Sequence, residues 1–108
     1  MARRSRGTAG ARNPFEPLDG PVVDTLDLHG FGAAEAERAV TDFLRRTHGR
    51  DRDALVHVIT GKGRGSRGRP VLKGTIRRLL RAGDLPVAAW GEDLDGGGYY
   101  VRLGEPGA

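Results

Sequence analysis

The sequence predicts one small α/β domain, a two-layer sandwich in the order β-α-β-α-β-β, with two helices covering one face of a four-stranded mixed sheet. Three observations carry that expectation. Two stretches repeat the i, i+4, i+7, i+8 spacing of a single buried helical stripe: Ala36, Val40, Phe43 and Leu44, then Leu72, Ile76, Leu79 and Leu80. Each stripe follows a short apolar run that ends in a glycine-bearing turn, the alternation expected of parallel strands joined by helices. A chain of 108 residues has room for one core and no second domain.

Residues 21–28 read as the first strand, with Val22, Val23, Leu26 and Leu28 as its apolar members and Gly30 and Gly32 ending it. The first helix spans about residues 33–48. Glu35 and Glu37 near its start and Arg45 and Arg46 near its end suit the helix dipole, and Gly49 reads as its stop. After a charged loop at 50–53, Leu55-Val56-His57-Val58-Ile59 is nearly continuous apolar, as in a central strand covered on both faces. Pro70 opens the second helix, where its missing N–H costs nothing, and Gly83 closes it. Arg77, Arg78 and Arg81 are left toward solvent or a ligand. A third strand at 85–90, an acidic glycine-rich connection at 91–98 and a fourth strand at 99–103 complete the domain, residues 21–104. Residues 1–20 are rich in Arg, Gly, Ala and Pro and bury too little surface to offset chain entropy. They read as a disordered or loosely docked basic tail, with Phe15 and Leu18 tacking its end onto the domain.

Composition narrows the function. Without cysteine there are no disulfides and no thiolate metal sites, and a reducing compartment is the simplest home. No apolar run approaches the roughly 20 residues that span a bilayer. Met1-Ala2-Arg3-Arg4-Ser5-Arg6 has charge but no apolar segment behind it, unlike a secretory signal. The expectation is a cytoplasmic protein with no membrane partner. The formal net charge is only +4, but residues 54–83 hold Lys62, Arg64, Arg67, Arg69, Lys73, Arg77, Arg78 and Arg81 and no acid. Phosphodiester backbone is the partner that best rewards such a run, since each neutralised phosphate releases counterions. The plain alternative is a solvated basic surface. Arg3, Arg4, Arg6 and Arg12 form a weaker cluster.

Two motifs carry chemistry. In Leu26-Asp27-Leu28-His29-Gly30, strand alternation buries Leu26 and Leu28 and sets Asp27 and His29 together on the other face. Open α/β sheets tend to place ligands at that carboxyl end, and an adjacent carboxylate orients an imidazole for proton transfer. The plain alternative is that Asp27 caps the next helix or bonds a loop amide. The second motif is the loop Thr60-Gly61-Lys62-Gly63-Arg64-Gly65-Ser66-Arg67-Gly68-Arg69 between a strand and a helix start. Glycines let amides approach an oxyanion, the helix dipole adds favourable potential, and Lys62, Arg64, Arg67 and Ser66 supply charge and a hydroxyl. Walker A is not satisfied. Gly63-Arg64-Gly65-Ser66-Arg67-Gly68 fits G-x-G-x-x-G, but the chain is too short for a dinucleotide-binding sheet and no acid follows a second strand, so a polyanion suits the loop better. Parallel pairing of the first two strands would set Asp27 and His29 beside this loop, the minimum for phosphodiester cleavage.

Leu26-Asp27-Leu28-His29-Gly30, a helix, then Ile59-Thr60-Gly61-Lys62-Gly63, with Gly97-Gly98-Tyr99-Tyr100-Val101 leading the last strand, resembles the Smr (small MutS-related) domain across about residues 21–103. The resemblance implies a fold similar to the C-terminal domain of translation initiation factor 3 and a nuclease activity on DNA or RNA, including messenger on stalled ribosomes. It maps the activity onto Asp27, His29 and Gly30, and the family's His-Gly-x-Gly motif onto Thr60, Gly61, Lys62 and Gly63. Thr60 stands where that motif has histidine, a form that resembles standalone members and removes one candidate acid or base.

The leading expectation is therefore an endonuclease in which Asp27 and His29 are catalytic. Gly30, Thr60, Gly61, Lys62, Gly63, Arg64, Ser66, Arg67 and Lys73 then bind nucleic acid. On RNA, His29 is the base toward the 2′-OH, and Lys62, Arg64 and loop amides stabilise the phosphorane-like charge. On DNA, a water activated on Mg²⁺ held by Asp27 is the option, though one carboxylate is thin ligation. No other cofactor is called for. The alternatives are a non-catalytic nucleic-acid or ribosome-binding module and, less favoured, a domain that binds a protein partner. His57 reads as a satisfied core or subsurface residue and His48 as a partner of the helix dipole. Neither is spaced with His29 as a metal motif. Trp90, Tyr99 and Tyr100 read as packing residues, with an outward tyrosine able to stack on a base.

Overall fold

The computed structural model describes residues 17–61 and 71–105. They form β1 (Asp24–Asp27), α1 (Ala33–Arg50), β2 (Leu55–Ile59), α2 (Val71–Arg81), β3 (Val87–Glu92) and β4 (Gly98–Leu103), the expected order. The strands lie side by side as β1-β2-β4-β3. β1 and β2 are parallel, whereas β4 runs antiparallel to both β2 and β3, so the sheet is mixed.

Alternation assigns the two faces. Val56 and Val58 of β2 and Tyr99, Val101 and Leu103 of β4 are buried on one face with Leu26 of β1 packed beside them. Against them lie Ala36, Val40, Phe43 and Leu44 of α1 and Ile76 and Leu80 of α2, the two predicted stripes. Each fully buried Leu or Val contributes about 1.5–3 kcal/mol relative to exposure. Tyr99 is fully buried despite its hydroxyl, which donates to Lys73 O (3.2 Å) and accepts from Arg77 Nε (3.4 Å). Trp90 meets the Tyr99 ring edge-on at 5.6 Å. A register shift between Val87 and Ala89 lets Val87 and Trp90 both face this core although they are three residues apart.

The second face carries Thr25, Asp27, His57, Ile59, Tyr100, Arg102 and Gly91, as register with the inward residues dictates. Its lower end is closed by a strap. The Arg102 guanidinium donates to the carbonyls of Pro17, Asp19 and Asp53, and Leu18 Cδ1 sits where a Cβ on Gly91 would stand, 2.9 Å from that position. β2 is thus covered on both faces only in part: Leu55 is buried, but His57 and Ile59 are half-buried.

Several boundaries differ from expectation. Gly49 does not stop α1; the helix reaches Arg50 because Thr47 still faces the core, and it ends where Asp51 turns extended while its N–H bonds Thr47 O. β3 starts two residues late because Pro86 has no N–H for a ladder, and Leu85 instead packs into the core. β1 is shorter than residues 21–28, although Val23 N and Leu28 N still bond the carbonyls of Leu55 and Ile59. Among the described residues, no helix is long and apolar enough to cross a membrane. Residues 1–16, including Phe15, lie outside those described, as does Pro70.

Candidate active site

The parallel register pairs Asp27 with Ile59, so β1 and β2 end together at one edge of the sheet. Leu28, fully buried, pins the end of β1, and its N–H bonds Ile59 O at 2.9 Å. The chain then turns: Phe31 N bonds Leu28 O at 3.0 Å, and Gly30 at the bend takes φ +85°, where a side chain would be strained. This turn brings His29 back over its neighbour. Asp27 Oδ1 accepts the His29 N–H at 3.0 Å and lies 3.3 Å from His29 Nδ1. The amide bond, and then the ring, hold the Asp27 carboxyl below its ordinary range, with slight desolvation opposing. The carboxylate therefore stays ionised and favours a proton on Nδ1, leaving Nε2 as the acceptor. Both side chains are open to solvent, 52% for Asp27 and 86% for His29. Asp27 does bond a loop amide, as the plain alternative held, but it does not cap α1. That task falls to Glu35, whose Oε1 accepts Gly32 N–H at 3.0 Å.

Thr60 and Gly61 stand at the same edge, turned toward the β3–β4 connection. Gly97 O accepts both Thr60 N–H (2.9 Å) and Gly61 N–H (3.0 Å). The buried Thr60 hydroxyl lies 3.3 Å from the same oxygen and 3.2 Å from Gly61 O. Those two amides are committed, so a phosphate here would have to meet later donors of the loop. Lys62, Gly63, Arg64, Ser66 and Arg67 lie outside the described residues. Lys73 does not stand free on α2: its Nζ pairs with Glu92 of β3. Arg77 is correspondingly not simply turned outward, since it reaches the Tyr99 hydroxyl and lies 3.9 Å from Glu92 Oε1. Residues 54–83 contain no acid, yet the fold brings one to them from β3.

The family model for the Smr domain matches residues 26–99, from the strand that carries Asp27 to the strand that carries Tyr99. This chain belongs to the Smr family. The Smr domain is a nucleic-acid-binding, nuclease-type domain. Comparison with curated proteins gives no significant match.

The Smr core here explains one glycine of its final strand outright. A Cβ on Gly98 would stand 2.3 Å from Val58 O, so only glycine lets β4 approach β2 at this point. The same approach assembles a second Asp–His pair. His57 Nε2 lies 2.8 Å from Asp93 Oδ2, and Asp93 Oδ1 accepts Gly97 N–H at 3.0 Å. Burial pushes the Asp93 carboxyl up, but the bonds from His57, Gly97 and Gly96 outweigh it and hold it below its ordinary value. The His57 ring stacks on Tyr100 with centroids 4.5 Å apart. His57 is thus a satisfied subsurface residue, as its sequence position suggested. In the sequence Asp93 is one acid of an acidic, glycine-rich connection, and only the register of β2 against β4 links it to His57. No group of three or more His, Cys, Asp or Glu side chains that could hold a metal occurs among the described residues. A Mg²⁺ held by Asp27 would draw its remaining ligands from water and substrate phosphate oxygens.

Proposed function

We propose that this Smr domain is an RNA endonuclease whose proton transfer is carried by His29 oriented by Asp27. The observation that supports it most is the exposed pair at the carboxyl edge of the sheet, with Nδ1 facing a carboxylate and Nε2 free to meet a substrate. His29 Nε2 takes the proton of a ribose 2′-OH. The 2′-oxygen attacks the adjacent phosphorus, the bond from phosphorus to the 5′-oxygen breaks, and that oxygen leaves with a proton returned from the imidazolium. The products are a 2′,3′-cyclic phosphate and a 5′-hydroxyl. Asp27 stabilises the imidazolium while it exists. Cations of the loop after Gly61, Lys62, Arg64 and Arg67, stabilise charge on the phosphoryl oxygens.

Incubation with labelled RNA and with labelled DNA, each with and without EDTA, tests this. Cleavage of RNA with cyclic-phosphate ends in EDTA is the expected result, and undiminished cleavage by His29→Ala would overturn the role of that residue. A second reading, a non-catalytic nucleic-acid-binding module, is favoured by Thr60, whose hydroxyl and amide are already used by the fold. It calls for salt-dependent binding without turnover.

A further inference from the structure

We propose that the face of the sheet away from the helices carries a stacking site for one unpaired nucleobase, over Thr25 and against the face of the His57 ring that Tyr100 does not use, and that the substrate is therefore single-stranded. This deepens the endonuclease reading by naming the state of its substrate.

The argument starts from one row across the sheet. Register places Thr25, His57, Tyr100 and Gly91 side by side on successive strands, all on the face away from the helices. His57 and Tyr100 stack with an interplanar angle of 23°, which uses one face of each ring. The outer side of Tyr100 looks toward Gly91, where Leu18 fills the space that a side chain would have occupied. The outer side of His57 looks toward Thr25, an exposed residue with a small side chain on an edge strand. Neighbouring strands lie about 4.8 Å apart, close to the spacing already present between the two rings. A planar base over Thr25 would form the next layer of that stack.

The platform is fixed in advance. Asp93 holds Nε2, so the imidazole cannot rotate out of the stack, and Asp93 is itself tied to the turn amide of Gly97. An ordered ring costs a ligand little to engage. Asp27 stands two residues beyond Thr25 on the same face, about 7 Å along the strand. That is the reach from a base to its own sugar and phosphate, so a base seated here would present its ribose to the pair at the strand end. Paired bases in a duplex are stacked away from such a surface, whereas unpaired bases splay onto aromatic rings.

Binding can be read by fluorescence anisotropy in a His29→Ala background that prevents turnover, using a short labelled single strand, its duplex, and an abasic strand of equal length. The single strand should bind more tightly than either. Thr25→Leu, which fills the slot on an exposed edge without adding a ring, should weaken single-strand binding about five-fold or more, the lower range of one base–aromatic stack. It should leave abasic binding unchanged. His57→Phe, which keeps a ring face, should retain most of the preference. Equal binding of strand and duplex, or no effect of Thr25→Leu, would overturn the proposal. With His29 intact, cleavage whose KM ignores Thr25→Leu overturns the stacking site and spares the endonuclease reading. Thr25-sensitive binding without any cleavage supports the site and overturns that reading.

Discussion

Two Asp–His pairs share one face of this sheet, and they are built in opposite ways. Asp27 and His29 are two residues apart in sequence, held by one turn, and lie open to solvent. His57 and Asp93 are 36 residues apart, meet only because β4 lies against β2, and have side chains 21% and 8% exposed. A pair that must reach a substrate cannot also be locked in the fold, and a pair that locks the fold has little surface left for chemistry. The contrast assigns proton transfer to the first and positioning to the second. Each substitution below should fall on one side of that division.

The largest effect is expected on activity. His29→Ala removes an exposed side chain, so it should lower cleavage by roughly 10²–10⁴-fold, the range of a general base, with no change in the melting temperature. A comparable loss from Asp93→Ala in a variant that remains folded would reverse the assignment. Gly98→Ala should be the largest effect on stability. Its Cβ would meet Val58 O, backbone that cannot step aside, and a cost of about 3 kcal/mol or more is expected for overpacking of this kind. Denaturant unfolding would read it, and a fall of less than 1 kcal/mol, on the order of an ordinary surface change, would show that β4 can shift.

The two Asp–His pairs also mark what the sequence discloses and what it does not. Asp27 and His29 are legible because their relation is local: alternation puts them on one face, and a strand end followed by Gly30 puts them at an edge. The helices are legible for the same reason, through their stripes. His57 and Asp93 are not, because nothing in either segment specifies the register that joins them. Lys73 and Arg77 illustrate the same limit. Counting charges along residues 54–83 finds no acid, and only the antiparallel placement of β3 supplies Glu92. Helix ends fall between these cases, since Gly49 is a stop signal in isolation and is overridden by the burial of Thr47.

Asp93→Ala comes next. It strips His57 of its partner and leaves the Gly97 N–H without its acceptor. A loss of about 1–3 kcal/mol is expected for buried groups left unsatisfied, readable as a lower urea midpoint at unchanged slope. Acid should show the same division. Both carboxyls have folded values below the ordinary 3.8. Each therefore contributes stability that is complete above the unfolded value and is lost as pH falls through the folded one. Thermal melts between neutral pH and pH values below that range should show Asp93→Asn flattening the acid slope more than Asp27→Asn, because only Asp93 is sheltered from solvent screening.

The smallest effect tests the residue that stands where the Smr motif has histidine. Thr60 lies at the edge used by the first pair but bonds like the second, giving its amide and hydroxyl to the turn that carries Asp93. Thr60→Val keeps the shape and removes the hydroxyl. If Thr60 is a clamp, the change should cost about 0.5–1.5 kcal/mol, one hydrogen bond, while cleavage per folded molecule is unaltered. If the hydroxyl instead serves the phosphate, stability should hold and kcat should fall. Proximity to the active edge would then count for more than burial. The unequal partition between the two Asp–His pairs makes the first outcome the expected one, because the donors of Thr60 are already spent inside the fold.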